Sequence, residues 1–123
     1  MLKVTLANPR NDLNAVDAQM HEDLRRLFEE LKTEEHARAI LLTGSGRAFS
    51  AGGDFEWMRS TGPDDFYAMR QEGKQIVWNL LDVEIPIVAA VNGPAIGLGA
   101  TLALLADVIF RMSPSSRSSS SEL

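Results

Sequence analysis

The chain has 123 residues, a net charge of −5 and no cysteine. The negative balance argues against nucleic acid as the main partner, because phosphate binding requires a basic face. A chain without cysteine has no disulfides, no thiolate metal ligands and no cysteine nucleophile. The sequence begins without the long apolar run of a secretory signal, and no apolar stretch is long enough to span a bilayer. We therefore expect a cytoplasmic protein without a membrane partner.

In the first part of the chain, the apolar pattern predicts a strand, a helix and a second strand. Residues 2–6 alternate apolar and polar side chains, as a half-buried strand does. Apolar residues then recur on one face of residues 18–32, which predicts an amphipathic helix. Either Asn14 or Asp17 is a candidate N-cap for that helix. Residues 39–43 form a short apolar run that predicts a buried strand.

The rest of the chain alternates in the same way. A short helix is predicted through Trp57, and a long helix is predicted from Pro63 to about Leu81. The later elements are predicted as a strand, a helix and the start of another strand, over 85–91, 100–106 and 108–110. Strands that alternate with helices predict an α/β fold.

One domain is expected for a chain of this length, with its core over residues 1–112. Residues 113–123 form a serine-rich tail with almost no apolar side chains. Because such a segment cannot bury enough apolar surface to offset its ordering entropy, we expect the tail to be disordered.

Two glycine-bearing segments, 47–54 and 91–100, each follow a predicted strand and open onto a predicted helix. Glycine lets the backbone approach a ligand closely. The N-terminus of a helix leaves backbone N–H groups unpaired, and such groups can bind an anion or a developing oxyanion. The alternative is an ordinary turn, which is the more frequent role of glycine after a strand.

A nucleotide-binding site is a further alternative, and its motifs are incomplete. Gly97-Leu98-Gly99 lacks the third glycine of the dinucleotide fingerprint, and no Gly-Lys-Ser/Thr ending marks a phosphate-binding loop.

The remaining chemistry-bearing side chains are expected to be structural. His21 and His36 have no metal or triad spacing, and both are expected to be exposed or helix-end residues. Four large apolar side chains on the helix faces are expected in the core, namely Trp57, Trp78, Met58 and Met69.

Several segments together resemble a known family. They are Leu-Asn-Ala at 13–15, Leu-Leu-Thr-Gly at 41–44, Ala-Phe-Ser-Ala-Gly-Gly-Asp at 48–54, and the run from Pro-Ile-Val-Ala-Ala-Val-Asn-Gly-Pro to Ala-Asp at 86–107. In this order and spacing, they resemble the enoyl-CoA hydratase/isomerase (crotonase) family over about residues 2–112.

The resemblance implies a crotonase-like fold of repeated ββα units, of which this chain holds the N-terminal half and is incomplete at the C-terminus. It also implies an acyl-CoA thioester as ligand, with coenzyme A as part of the substrate and no separate cofactor. For the full-length protein it implies a homotrimer or a dimer of trimers. Since the likeness stops near Arg111, we expect a truncated or frameshifted form of a longer enzyme.

Carried over by position, the resemblance assigns roles to two loops. The backbone N–H groups of Gly53 and Leu98 form the oxyanion hole that polarises the thioester C=O. The carbonyl of Ala51 meets the adenine end of coenzyme A. The other substrate-side positions are Asn11, Asp12, Leu13, Asp54, Gly97, Gly99 and Thr101, of which the first three line the coenzyme A tunnel. Asp54 is expected to cap the helix that follows rather than take part in chemistry.

The sequence departs from the hydratase pattern at Thr101. Hydratases of the family use two carboxylates, one of which lies two residues after the position of Gly99. Threonine there cannot serve as a general base at neutral pH, and the second carboxylate belongs to a later segment that this chain lacks. The resemblance favours double-bond isomerisation over hydration, because family members that shift double bonds can work with a single later carboxylate, although this chain lacks that carboxylate too. The alternative is a catalytically inactive acyl-CoA-binding fragment or an oligomerisation partner of a complete paralogue.

Overall fold

The computed structural model describes residues 1–113, and in this range it contains a four-stranded parallel sheet with helices between the strands. The strands are β1 (Leu2–Leu6), β2 (Ile40–Gly44), β3 (Ile87–Val91) and β4 (Val108–Arg111). The helices are α1 (Ala18–Leu31), α2 (Phe55–Ser60), α3 (Pro63–Leu81) and α4 (Leu98–Leu104). The strands lie side by side in chain order, so the loops that leave β2 and β3 are neighbours at the carboxyl ends of these two parallel strands.

Each of the first three strands is followed by a short segment that pairs with its equivalent in the next repeat. Isolated parallel bridges join Val16 to Gly53 and Ser50 to Ala95. The repeating unit is therefore a strand, a short second pairing segment and one or two helices. This order confirms the predicted α/β class and is consistent with repeated ββα units.

The core lies where α1 and α3 pack against the sheet. The buried face of α1 carries Met20, Leu24, Phe28 and Leu31, as the helical spacing predicts. These side chains join apolar residues of the sheet, including Ile40, Leu42, Ile87 and Ala89, in one cluster.

Asp17, and not Asn14, is the N-cap of α1. One oxygen of its carboxylate accepts a hydrogen bond from the Met20 N–H at 3.0 Å. The Arg10 guanidinium binds the same carboxylate through Nε at 2.5 Å and through Nη2 at 3.0 Å. The hydrogen bond from Arg10, together with that from the Met20 amide, holds the pKa of Asp17 well below its ordinary value of 3.8.

Asn14 connects loops instead of capping a helix. It is buried and adopts a φ of 52°, a left-handed conformation that asparagine tolerates better than most residues. Its Nδ2 donates to the carbonyls of Ser45 and Ala48 at 2.9 and 3.0 Å, and its Oδ1 accepts from the Asn8 N–H at 3.1 Å. The loop after β1 is thereby fixed to the loop after β2.

Three of the predicted side-chain environments are wrong. His21 is buried, with 6% of its surface exposed, because α1 presents it to α2 and α3. Trp78 is 61% exposed, because the buried face of α3 is occupied by other residues, including Ile76 and Leu80. Met58 is 48% exposed, since the short helix α2 has no buried residue.

The edges of the predicted elements shift by a few residues. The last helix begins at Leu98 rather than at residue 100, and the third strand begins at Ile87 rather than at 85. The prediction of a disordered tail over 113–123 falls, from residue 114 onward, outside the described residues. Within residues 1–113, no helix is both long enough and apolar enough to cross a membrane.

The substitution Asp17→Asn tests the charge at the α1 N-cap, because asparagine still caps a helix. We expect it to lower the free energy of unfolding by about 1 kcal/mol at pH 7, a modest value since the pair is partly exposed. The folded pKa lies below the unfolded pKa, so the stabilisation is complete above about pH 5. It is lost as the pH falls below 3.8 towards the folded pKa.

Urea unfolding of both proteins across this pH range measures the difference. Asp64→Asn, at an exposed acid in the first turn of α3, is the control and should show a smaller effect. A wild-type advantage that grew as the pH fell would contradict the assignment.

Candidate functional site

The candidate site is built from two loops, which we call the first glycine loop (residues 45–54) and the second glycine loop (residues 92–97). Main-chain hydrogen bonds join them directly. The Phe49 and Ser50 N–H groups both donate to the Pro94 carbonyl at 3.1 Å, and the Ile96 N–H donates to the Ser50 carbonyl at 3.0 Å. The two loops therefore form one rigid unit beyond the ends of β2 and β3.

Glycine is required where these backbones cross. A Cβ atom at Gly99 would lie 2.2 Å from the Ser50 carbonyl oxygen, and one at Gly93 would lie 2.0 Å from the Arg47 carbonyl oxygen. Gly52 combines a φ of +81° with a space in which a Cβ atom would lie 2.4 Å from the Ile96 carbonyl oxygen. Close approach of main chain to main chain is thus the physical reason for glycine at positions 52, 93 and 99.

The buried Asn92 side chain also stabilises this unit, by bonding to the main chain where β2 ends and the first glycine loop begins. Its Nδ2 donates to the carbonyls of Gly46 and Ala48 at 2.9 and 3.1 Å, and its Oδ1 accepts from the Gly44 N–H at 3.0 Å. These bonds pair all the polar atoms of the amide, as burial of such a group demands.

The N–H of Gly53 is left outside the pairing that surrounds it. The bridge to Val16 uses the Val16 N–H, which donates to the Gly52 carbonyl at 2.7 Å, and the Asp54 N–H, which donates to the Val16 carbonyl at 2.8 Å. In this geometry the amide of Gly53 points away from Val16. It donates no hydrogen bond to any residue in the range 1–113.

The N–H of Leu98 is unpaired for a different reason. Leu98 is the first residue of α4, and the first N–H groups of a helix have no intrahelical acceptor. No other described residue accepts from it. The amide also lies beside the first glycine loop, since a Cβ atom on Gly52 would be only 3.3 Å from the Leu98 nitrogen.

Gly53 and Leu98 line the same cavity, which has a volume of about 580 Å³. The walls are mostly apolar, and α3 contributes a large share of them. The lining residues are His21, Ala51, Gly53, Trp57, Met58, Phe66, Met69, Arg70, Gly73, Val77, Ile96, Gly97, Leu98 and Thr101. An apolar cavity with a few converging donors is the usual form of a small-molecule site.

The other predicted positions of this region have distinct surroundings. Ala51 lines the cavity, and its N–H donates to the Leu13 carbonyl at 2.9 Å. Thr101 also lines it, with its hydroxyl donating to the Gly97 carbonyl at 3.2 Å. Asp54 caps α2, as the sequence predicts, and accepts from the Glu56 N–H at 2.8 Å.

The predicted coenzyme A loop borders a second space. Asn11 and Asp12 line a groove of about 530 Å³ together with residues of the first glycine loop. Asn11 Oδ1 accepts from the N–H groups of Leu13 and Ala15 at 3.2 and 2.8 Å, which fixes the loop shape. Asp12 forms an exposed ion pair with Arg47 at 2.9 Å. The structure thus places the predicted residues around two neighbouring spaces, with Leu13, Asp54 and Gly99 lining neither.

Sequence reasoning missed His21 as a residue of the cavity wall. Its Nδ1 lies 2.5 Å from Oε1 of Glu72, and its ring makes an edge contact with Trp57 at a centroid distance of 5.1 Å. One signal was available, because His21 precedes Leu24 and Phe28 by three and seven positions and so lies on the apolar stripe of α1. The partner Glu72 is 51 positions away and gives no local signal.

Comparisons with known proteins agree on one family. A family model described as enoyl-CoA hydratase/isomerase matches residues 1–122. A Rhodobacter capsulatus protein named "Probable enoyl-CoA hydratase" is 40% identical over 106 residues, which are 86% of this chain and 40% of the relative. The Escherichia coli 1,2-epoxyphenylacetyl-CoA isomerase is 35% identical over 113 residues, which are 89% of this chain and 43% of the relative.

Solved structures confirm the predicted crotonase-like fold. An enoyl-CoA hydratase/isomerase from Mycobacterium paratuberculosis superposes with a TM-score of 0.81 at 42% identity, over 89% of this chain and 44% of that structure. An enoyl-CoA hydratase from Thermoplasma volcanium gives a TM-score of 0.79 at 32% identity, over 90% and 44% of the two chains. The chain spans about two fifths of the length of the relatives it matches. On the evidence of its sequence, its fold and its glycine loops, the chain belongs to the enoyl-CoA hydratase/isomerase family.

Proposed function

We propose that this chain binds an acyl-CoA thioester and that the thioester oxygen accepts hydrogen bonds from the N–H groups of Gly53 and Leu98. The observation that carries the proposal is that these two unpaired main-chain donors line one apolar cavity. Such donors act most strongly when negative charge develops on the oxygen, so they would stabilise an enolate-like state more than the ground state.

Double-bond isomerisation is the reaction that we favour over hydration. Addition of water by the two-carboxylate mechanism needs a carboxylate at the position of Thr101, whose hydroxyl is already bonded to the Gly97 carbonyl. Among the residues described, no Asp or Glu lines the cavity. An isomerase needs only one proton-transferring group beside the oxyanion donors, so it departs less from what this chain provides.

The coenzyme A portion is assigned to the loop of Asn11, Asp12 and Leu13 and to Ala51. In support, the Ala51 N–H bonds to the Leu13 carbonyl, so this loop is attached directly to the wall of the cavity. Coenzyme A would enter as part of the substrate, and the proposal requires no further cofactor. Assembly of the full-length protein as a homotrimer or a dimer of trimers is proposed from the family resemblance alone.

A second candidate is an acyl-CoA-binding protein without catalytic activity, or an oligomerisation partner of a complete paralogue. The same observation at Thr101 favours it, because a site with donors and no base would bind a thioester without converting it. Thioester binding in D₂O without exchange of an α-proton for deuterium would favour this candidate over the isomerase.

The substitution Leu98→Pro tests the oxyanion donors. Proline at the first position of a helix is tolerated and lacks an N–H group, so this change removes one donor with little damage to α4. Leu98→Ala keeps the donor and is the matched control. We expect the wild type to bind a saturated acyl-CoA about fivefold more tightly than its thioether analogue, which lacks the carbonyl, and Leu98→Pro to lose most of that preference.

Calorimetry measures the affinities, and the ¹³C-labelled carbonyl stretch of the bound thioester reports its polarisation. The stretch should shift to lower frequency in the wild type and in Leu98→Ala, and less so in Leu98→Pro. If the wild type and Leu98→Ala bound thioester and thioether equally well, the proposed site would be wrong. In an active full-length protein, the loss of one donor is expected to raise the barrier by about 3 to 4 kcal/mol.

A further inference from the structure

His21 contributes an unpartnered nitrogen to the wall of the cavity. The side chain is more than nine-tenths buried, with a relative exposure of 7%. Its Nε2 has no hydrogen-bond partner within residues 1–113. Every fully buried side-chain nitrogen or oxygen in that range has a hydrogen-bond partner. Because Nε2 has none, it must keep some accessible surface. The cavity is the space that His21 lines, and Nε2 therefore opens into it.

Glu72 determines which nitrogen of the ring faces the cavity as an acceptor. Its Oε1 lies 2.5 Å from Nδ1, and its other oxygen lies 3.6 Å from Nε of Arg25. An ionised carboxylate can only accept a hydrogen bond, so Nδ1 carries the proton. In the neutral imidazole, Nε2 is then an acceptor that seeks a donor. Trp57 packs against the ring and further limits its rotation.

Gly73 on α3 keeps Nε2 accessible. A Cβ atom at this position would lie 3.5 Å from Nε2 and 3.8 Å from Cε1 of the same ring. A side chain there would contact the Nε2 side of the imidazole at the cavity wall, whereas glycine leaves that side of the ring uncovered. The nearby wall is largely apolar, with Met58, Met69 and Val77 among its members.

We propose that His21 is a specificity-determining residue that accepts a hydrogen bond from a hydroxyl group on the acyl chain, with Glu72 as its positioning residue. The inference rests on the proposed function, because it takes the cavity to be the acyl site. A plain hydrocarbon chain would remove water from Nε2 without replacing its hydrogen bond, which is unfavourable. A hydroxyl donor at the matching carbon would restore that bond. The preferred ligand class is therefore a hydroxyacyl-CoA whose hydroxyl lies beyond the β-carbon.

The test compares acyl-CoA thioesters of equal chain length in which the hydroxyl is moved along the chain one carbon at a time. For the wild type, we expect one isomer to bind about fivefold more tightly than the unsubstituted thioester, as one hydrogen bond provides. His21→Phe keeps a ring of similar size and removes the acceptor, and it should abolish the preference. His36→Phe changes the exposed histidine and should leave the preference intact.

Three further variants keep the test decisive if His21→Phe fails to fold. Gly73→Ala is compatible with a helix and should weaken binding of the preferred hydroxyacyl isomer more than that of the plain chain. Glu72→Gln retains an oxygen that can accept from Nδ1 and should keep the preference, whereas Glu72→Leu should lose it. The ¹⁵N resonance of Nε2 should shift less on addition of the preferred isomer, whose hydroxyl restores the hydrogen bond, than on addition of the plain thioester, which removes it.

The outcomes separate this inference from the proposed function. If acyl-CoA binds and Leu98→Pro removes the preference for the carbonyl, but no hydroxyl position improves affinity, the role of His21 is wrong and the oxyanion site stands. If no acyl-CoA thioester binds at all, both are wrong. A hydroxyl preference that survives in His21→Phe would overturn the assignment to this nitrogen.

Discussion

The main-chain hydrogen bonds between the two glycine loops are the interaction on which the rest of the site depends. They join Phe49 and Ser50 to Pro94, and Ile96 to Ser50, so that each loop fixes the conformation of the other. Backbones can approach this closely only where no Cβ atom intervenes, which explains the glycines at 52, 93 and 99. This arrangement also leaves two N–H groups unpaired. The Gly53 N–H points away from the bridge to Val16, and Leu98 is the first residue of α4, where an N–H has no intrahelical acceptor.

Two buried asparagines fix the position of the first glycine loop relative to the rest of the fold. Asn92 joins the end of β3 to the first glycine loop, and Asn14 joins the loop after β1 to the same segment. Two chain segments that are distant in sequence therefore converge on the carbonyls between Ser45 and Phe49. Buried amides without these partners would be costly, so the polar network favours this one arrangement of the loops.

Local pattern was sufficient to predict most of the framework. The stripe of Met20, Leu24 and Phe28 predicts α1, and the two glycine segments mark the site because each lies between a strand and a helix. The environment of Asn14 could not be predicted in this way, because the carbonyls that accept from its Nδ2 lie more than 30 positions away. His21 was misjudged for the same reason. Its helix face was readable, but Glu72 and Trp57 come to it only when α1, α2 and α3 pack together.

The family-level assignment and the residue-level roles rest on different kinds of support. The fold and the family follow from matches that cover most of this chain, while the roles of Gly53 and Leu98 rest on local geometry and position in the motif. Thr101 illustrates the distinction. Its place in α4 and its hydrogen bond to the Gly97 carbonyl are features of the fold, whereas the role of its side chain in chemistry is a proposal from the family resemblance.

The placement of the candidate donors in the main chain has a consequence for how such a site changes over time. Every residue except proline supplies the same amide, so position 98 can drift among many side chains without touching the donor itself. Natural variation at that position would then tune the shape of the cavity independently of the charge stabilisation. In a site of this kind, the side chain that sets ligand selectivity can change while the main-chain donor stays. Substitutions at position 98 could therefore alter which ligands fit the cavity without removing the hydrogen bond to the oxygen.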